Sequence, residues 1–184
     1  MEIPFPYIST FISLIFGFAI MHAFSCISTY IQNIKKIQSY WVWWVWTLFV
    51  LMISCAIWWN IFDTWSHVVI WKPYYFLYLV FFSCVLYLLF FVHFDFFIEL
   101  DDGDLEKQFY SNKKPFFLLL SLQFLLLLIG SDIVLSNFSL QTISDHRFSL
   151  LFCGLFVFLG YSNNRIIHAV CSIGFLITLF VGAF

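Results

Sequence analysis

Residues 73–97 have the sequence PYYFLYLVFFSCVLYLLFFVHFDFF, in which no Asp, Glu, Lys or Arg occurs before Asp95. A helix needs about 20 consecutive apolar residues to cross a hydrocarbon layer of about 30 Å. In water, a run this long and this apolar would leave an aggregating patch on the surface of a domain. The stretch therefore predicts a helix that crosses a lipid bilayer.

The whole chain shares the composition of this stretch. Of its 184 residues, 63% are hydrophobic and 10% are charged, whereas soluble domains are about 45–50% apolar and about 25% charged. We therefore predict an all-α, multi-pass integral membrane protein whose main partner is the lipid bilayer. The formal net charge of -2 leaves no basic surface for nucleic acid, which binds largely through phosphate neutralisation.

Six apolar stretches are candidates for membrane spans, and together they predict a single transmembrane domain. Pro73 and Pro115 each stand where a helix can begin, because proline lacks the N–H that the first turn leaves unpaired. The fifth stretch is short, so the last two spans are the least well-defined part of the prediction. The predicted spans cover approximately residues 6–31, 41–62, 73–97, 115–135, 148–161 and 166–184, and an acidic loop covers 98–114.

The distribution of Lys and Arg predicts an N-terminus outside the cell and, with six spans, a C-terminus outside as well. Cytoplasmic loops of membrane proteins carry an excess of these residues. In this orientation only Lys72 and Arg147 fall outside, and the acidic loop is cytoplasmic. The predicted inner cations are Lys35, Lys36, Lys107, Lys113, Lys114 and Arg165. We expect the chain in the plasma (inner) membrane of a bacterium.

Polar side chains inside a bilayer are costly and are therefore candidates for function. At the inner end, the predicted topology places His22, His93, Asp95 and His168 at one depth. Such a cluster could relay protons or hold a metal ion or cofactor. Alternatively, each histidine sits at an interface or bonds a neighbouring helix, since the sequence does not show that these helices are adjacent. Gln123 is a further polar residue within a span.

A second group of polar residues lies at the predicted outer end. Asn60 and Asp63 end the second span, and Asp132 ends the fourth. Two carboxylates in one mouth would attract cations. Helix-terminal residues exposed to water explain them equally well.

Small residues recur at helical spacing on the first and last spans. They allow helix backbones to approach closely where no hydrophobic effect drives association. We expect these faces to be buried against other helices, either within the chain or in a homo-oligomer. The residues are Ser9, Ser13 and Gly17 on the first span, and Cys171, Gly174 and Thr178 on the last.

Motifs that would identify an enzyme do not occur in the sequence. It contains no phosphate-binding glycine loop, no H-E-x-x-H and no C-x-x-C. We therefore predict a non-enzymatic transport, channel-like or signalling component, and the sequence leaves its cofactor and any metal ion unknown. One alternative is a membrane redox or lipid-modifying enzyme whose inner histidines bind haem, metal or quinone. The other is an accessory subunit that assembles with partner subunits in a membrane complex.

Overall fold

The computed structural model describes the backbone of residues 5–94, 103–135 and 147–182, and the side chains of residues 5–94, 103–130 and 149–178. Within these ranges six helices follow one another without a strand, which confirms the predicted all-α bundle. They are α1 (Phe5–Gln32), α2 (Trp41–Trp65), α3 (Pro73–Phe94), α4 (Leu105–Leu135), α5 (Arg147–Tyr161) and α6 (Arg165–Gly182).

Four of these six helices are long and apolar enough to cross a membrane, as an integral membrane protein requires. They are α1 with 28 residues, α2 with 25, α3 with 22, and the part Leu105–Gly130 of α4 with 26. In contrast, α5 has 15 residues, or about 22 Å of helix, which is less than a hydrocarbon layer of about 30 Å. The 18 residues of α6 extend about 27 Å. The last two helices are therefore the short part of the bundle.

The start of α4 corrects two predictions, the acidic loop that ends at residue 114 and the helix start at Pro115. The helix begins at Leu105, and Pro115 lies inside it. The Asp104 carboxylate accepts hydrogen bonds from the backbone N–H groups of Glu106 and Lys107, at 2.8 and 3.2 Å. This carboxylate caps the first turn of α4, so the helix begins ten residues earlier than predicted.

The first turns of α4 are amphipathic, although most of their residues are polar. Leu105, Phe109 and Phe116 are all buried, and their spacings of four and seven residues place them on one helix face. Their burial explains why a mostly polar segment is helical. The rest of the predicted loop and the predicted end of the third span fall on residues 95–102, which lie outside the described residues.

The helix α2 occupies the middle of the bundle, where it contacts α1, α3, α4 and α6. Around it, α1 packs along α3, and α4 packs against both α3 and α5. The indole of Trp46 on α2 is fully buried and joins α2 to the last three helices. Its ring centroid lies between 4.9 and 6.2 Å from those of Phe49, Phe116, Phe117, Phe156 and Phe175.

One end of the bundle is assembled from the α1–α2 connection, the start of α4 and the α5–α6 turn; we call it the inner end. The Gln38 N–H donates to the Gly103 carbonyl at 2.7 Å, and the Leu105 N–H donates to the Gln38 carbonyl at 3.2 Å. Arg165, at the start of α6, forms an ion pair of 2.8 Å with Glu106. These contacts bring all six predicted inner cations to the same end, and the side of the membrane that this end faces stays a prediction.

Gly103 is a position where we expect no side chain to be tolerated. Its φ is 54°, and an added Cβ would lie 2.5 Å from the Lys36 carbonyl oxygen. We expect Gly103→Ala to lower the free energy of unfolding by at least about 1 kcal/mol, measured by SDS titration in mild detergent. Gly154→Ala is the matched control, because no described atom beyond its own stretch of helix lies within 4 Å of the added Cβ. Equal effects of the two substitutions would contradict the prediction.

Candidate functional site

His93, in the last turn of α3, is buried at the contact with α2 and α4. Its ring stacks on Trp43 with centroids 5.1 Å apart and lies 4.7 Å from the ring of Phe116. Its Nε2 is 2.9 Å from Thr47 Oγ1, which is itself 2.9 Å from the Trp43 carbonyl oxygen. Because that carbonyl can only accept, the Thr47 hydroxyl donates to it and His93 Nε2–H donates to Thr47. The other ring nitrogen, Nδ1, is then an acceptor.

A small cavity lies beside His93 at the inner end, where α2, α3 and α4 meet. Its volume of about 10 Å³ is close to what one water molecule needs. The lining combines an imidazole, two amides and an ammonium group with aromatic rings. It includes Trp43, His93, Gln108, Asn112, Lys113 and Phe116.

A second cavity of about 10 Å³ lies at the opposite end of the bundle, again where α2, α3 and α4 meet. Its polar groups are the Asn60 amide and the hydroxyls of Thr64 and Tyr78. The Tyr78 hydroxyl donates to the Leu126 carbonyl of α4, which ties α3 to α4 there. We call the two the inner cavity and the outer cavity.

Gln123 lies on α4 between the two cavities and is fully buried. Neither its amide nitrogen nor its amide oxygen has a hydrogen-bond partner among the described residues. At about 100° per residue, Gln123 is within about 20° of Phe116 and about 40° of Leu127 around the helix axis. Phe116 lines the inner cavity and Leu127 lines the outer one. Gln123 therefore faces the same α2–α3–α4 interface as both cavities.

His168, in the first turns of α6, also lies at the inner end. It packs against a face of α4 other than the one that His93 contacts. The Nε2 of His168 is 3.0 Å from the Ser162 carbonyl oxygen, so Nε2–H donates to that oxygen and Nδ1 is an acceptor. Nδ1 is buried and has no partner in the part of the chain that the structure describes. Lys113 also donates to the Ser162 carbonyl and to Asn163 Oδ1. The α5–α6 turn is thus held to α4 by a buried ammonium group.

Tyr40, just before α2, covers the inner end next to α4. Its hydroxyl oxygen is 3.4 Å from that of Tyr110. Burial and, second, this hydrogen bond raise the pKa of the Tyr40 phenol well above its usual range. The phenol is therefore neutral at physiological pH.

The structure places the three predicted histidines in the inner halves of their helices but gives each different neighbours. His22 on α1 stacks on Phe91 at 5.5 Å and lies 6.4 Å from the ring of Phe94, which is 4.9 Å from the His93 ring. Among the described residues, no three His, Cys, Asp or Glu side chains form a group that could hold a metal ion. The fourth predicted residue, Asp95, lies outside the described residues.

The residues that were predicted to form an outer mouth differ in their positions in the structure. Asn60 lines the outer cavity, whereas Asp63 is exposed at the end of α2. The side chain of Asp132 lies outside the described residues. The proposal of two carboxylates in one mouth therefore stays a prediction.

The small-residue faces are buried within the chain only in part. Ser13 accepts a hydrogen bond of 3.0 Å from the Trp58 indole, so this part of α1 packs against α2. Among the described residues, apart from the chain neighbours and local helix backbone, no atom lies within 4 Å of a Cβ added at Gly17 or at Gly174. Half-buried positions are Ser9, Ser13 and Cys171, and exposed positions are Gly17, Gly174 and Thr178. Within the described residues, no other helix of the chain buries the exposed three, because α1 and α6 turn them outward. Their burial in a homo-oligomer, the other expectation, stays a prediction.

Two polar residues of the inner cavity and the hydroxyl partner of His93 were not identified from the sequence. Gln108 and Asn112 fell in the predicted loop, although their four-residue spacing continues to Phe116 and was the available signal. Thr47 was not considered, because a threonine in an apolar helix usually bonds only its own backbone.

No family model matches this chain, and no curated protein and no solved structure matches it significantly. The functional argument therefore depends on the residues described above.

Proposed function

We propose that this chain is a transport or channel-like membrane component in which the α2–α3–α4 interface carries protons or a water-sized polar solute. The observation that carries the proposal is the buried amide of Gln123 between the inner and outer cavities, which has no hydrogen-bond partner in the described part of the chain. A buried amide without partners costs about 1–3 kcal/mol. Water entering the interface would remove that cost.

The groups along this interface are suited to a file of water molecules. The Gln123 amide can donate and accept, and His93 Nδ1 accepts beside the inner cavity. Along α4, Gln123 is about 16 Å from Asn112 and about 10 Å from Gly130. Phe116 and Leu120 are buried and lie between the inner cavity and Gln123, so conduction requires these side chains to move.

The proposed orientation places the inner end in the cytoplasm. This end carries six of the eight Lys and Arg residues, and cytoplasmic loops are enriched in both. Both termini would then lie outside the cytoplasm, in the plasma membrane of a bacterium.

Flux through purified protein in liposomes tests the proposal. We expect proton flux, followed with an internal pH dye and a valinomycin-clamped potential, or osmotic water flux, followed by light scattering, to exceed that of empty liposomes at least tenfold. Gln123→Leu should return the flux to the empty-liposome value, because a branched alkyl group cannot hydrogen-bond water. Gln32→Leu is the matched control, since Gln32 is exposed at the end of α1, and it should conduct normally.

Two outcomes would contradict the proposal. One is wild-type flux no greater than that of empty liposomes, and the other is a Gln123→Leu variant that conducts as the wild type does. Absence of flux together with a partner that co-purifies at fixed stoichiometry would favour the accessory subunit. The open space around Gly17 and Gly174 is the observation that supports this second candidate, because small exposed residues allow another helix to approach.

A further inference from the structure

A groove of about 450 Å³ lies on the outside of the bundle between α1 and α3, away from the α2–α3–α4 interface. Phe18, Met21, His22, Ser25 and Tyr87 line it. Phe18 is 55% exposed and Met21 is 61% exposed, so the groove opens toward the surrounding lipid. Its volume is in the range of small-molecule sites, which is about 300–1,000 Å³.

The depth of the groove limits what can enter it. His22 is about 5 Å from the midpoint of the 28-residue helix α1, toward its inner end. A bilayer centred on α1 would place His22 within the hydrocarbon layer of about 30 Å, where water and phospholipid head groups are scarce. At that depth the groove would be reached by lipid-soluble molecules.

Polar groups at this depth have few partners of their own. Among the described residues, the hydroxyls of Ser25 and Tyr87 have no hydrogen-bond partner, and the His22 Nε2 has only the Cys26 Sγ at 3.9 Å. Exposing such groups to lipid is unfavourable. The groove therefore presents two hydroxyl donors and an imidazole to a molecule that can accept hydrogen bonds.

We propose that this groove binds a lipid-soluble quinone, that is, a ring with two carbonyl acceptors on an alkyl tail. The carbonyls would accept hydrogen bonds from His22, Ser25 or Tyr87, and the ring would lie against the aromatic side chains of Phe18 and Tyr87. A second helix fits less well, because bulky Phe18 and Met21 stand at the rim where close helix contacts need small residues. The alkyl tail would extend into the lipid.

Titration of the purified full-length chain in nanodiscs tests the proposal, with decylubiquinone as the probe and decylbenzene as the matched ligand without acceptors. We expect saturable binding of decylubiquinone and only partitioning of decylbenzene. His22→Leu should weaken the Kd at least tenfold, and Ser25→Ala about fivefold, the effect of one hydrogen bond. Ser28→Ala is the control on the same helix, because Ser28 is exposed and does not line the groove, and its Kd should not change.

The proposal would be overturned if decylubiquinone and decylbenzene both only partitioned into the nanodisc without saturable binding. It would also be overturned if His22→Leu and Ser25→Ala both bound decylubiquinone with the wild-type Kd. Where His22→Leu fails to fold, Ser25→Ala and Tyr87→Phe decide the question, because both keep the packing of the groove. A photoreactive azidoquinone should label α1 or α3 residues of the groove; labelling confined to other helices would also overturn it. Gln123→Leu should bind the probe normally, so this inference and the transport proposal fail separately.

Discussion

Replacing Trp46 with alanine is expected to lower the free energy of unfolding by about 3–5 kcal/mol, the usual cost of removing a fully buried aromatic ring. Trp46 is 0% exposed. Its ring contacts Phe117 of α4 at 4.9 Å, Phe175 of α6 at 5.6 Å and Phe156 of α5 at 6.2 Å. No other described aromatic ring of α2 contacts rings on all three of these helices. The substitution would therefore leave a cavity at the centre of the bundle.

The loss should be seen first in the short helices. Neither α5 nor α6 reaches the length of the four long helices, so both depend on packing against α2 and α4. We expect trypsin to cleave Trp46→Ala at Arg165 faster than the wild type, and SDS titration to give the lower unfolding free energy. Trp59→Ala is the matched control, because Trp59 is 67% exposed. Similar losses for the two variants would mean that Trp46 does not hold the bundle together.

The helices that the sequence predicts correctly are those that depend on hydropathy alone. The predicted spans 6–31 and 41–62 agree within three residues with the helices α1 and α2. The stretch 148–161 agrees as closely with the helix α5, whose crossing of the membrane stays a prediction. In each case a continuous apolar run decides where the helix lies. The start of α4 could not be obtained in this way, because Leu105 and Phe109 are the buried face of a segment that is otherwise polar.

The contacts of the candidate site could not be predicted from the sequence, and the shared depth of its histidines stays a prediction. Counting residues along the helices placed His22, His93 and His168 in the inner halves of their spans. It could not show that His93 bonds Thr47 on α2 while His168 bonds the Ser162 carbonyl. In helices that are apolar on every side, hydropathy does not identify the face that meets a neighbour, so adjacency becomes visible only in three dimensions.

Reversal of the charge at Lys113 is expected to destabilise the chain by about 3–5 kcal/mol, the cost of leaving a buried charge without its partner. Lys113 is 6% exposed, and its ammonium donates to the Ser162 carbonyl and to Asn163 Oδ1. In Lys113→Glu a carboxylate would face these two acceptor oxygens and could donate to neither. The α5–α6 turn should therefore separate from α4.

Three variants distinguish charge from packing in this contact. Lys113→Met removes the charge and keeps an unbranched stem, and the Ser162 carbonyl still accepts from His168, so a loss of about 1 kcal/mol is expected. Lys114→Glu reverses the charge one residue later, where the side chain is exposed, and should cost less than about 1 kcal/mol. SDS titration of all three variants gives the order of their free energies of unfolding. If Lys113→Glu were no more destabilising than Lys114→Glu, the ammonium group would not be what holds the last two helices to α4.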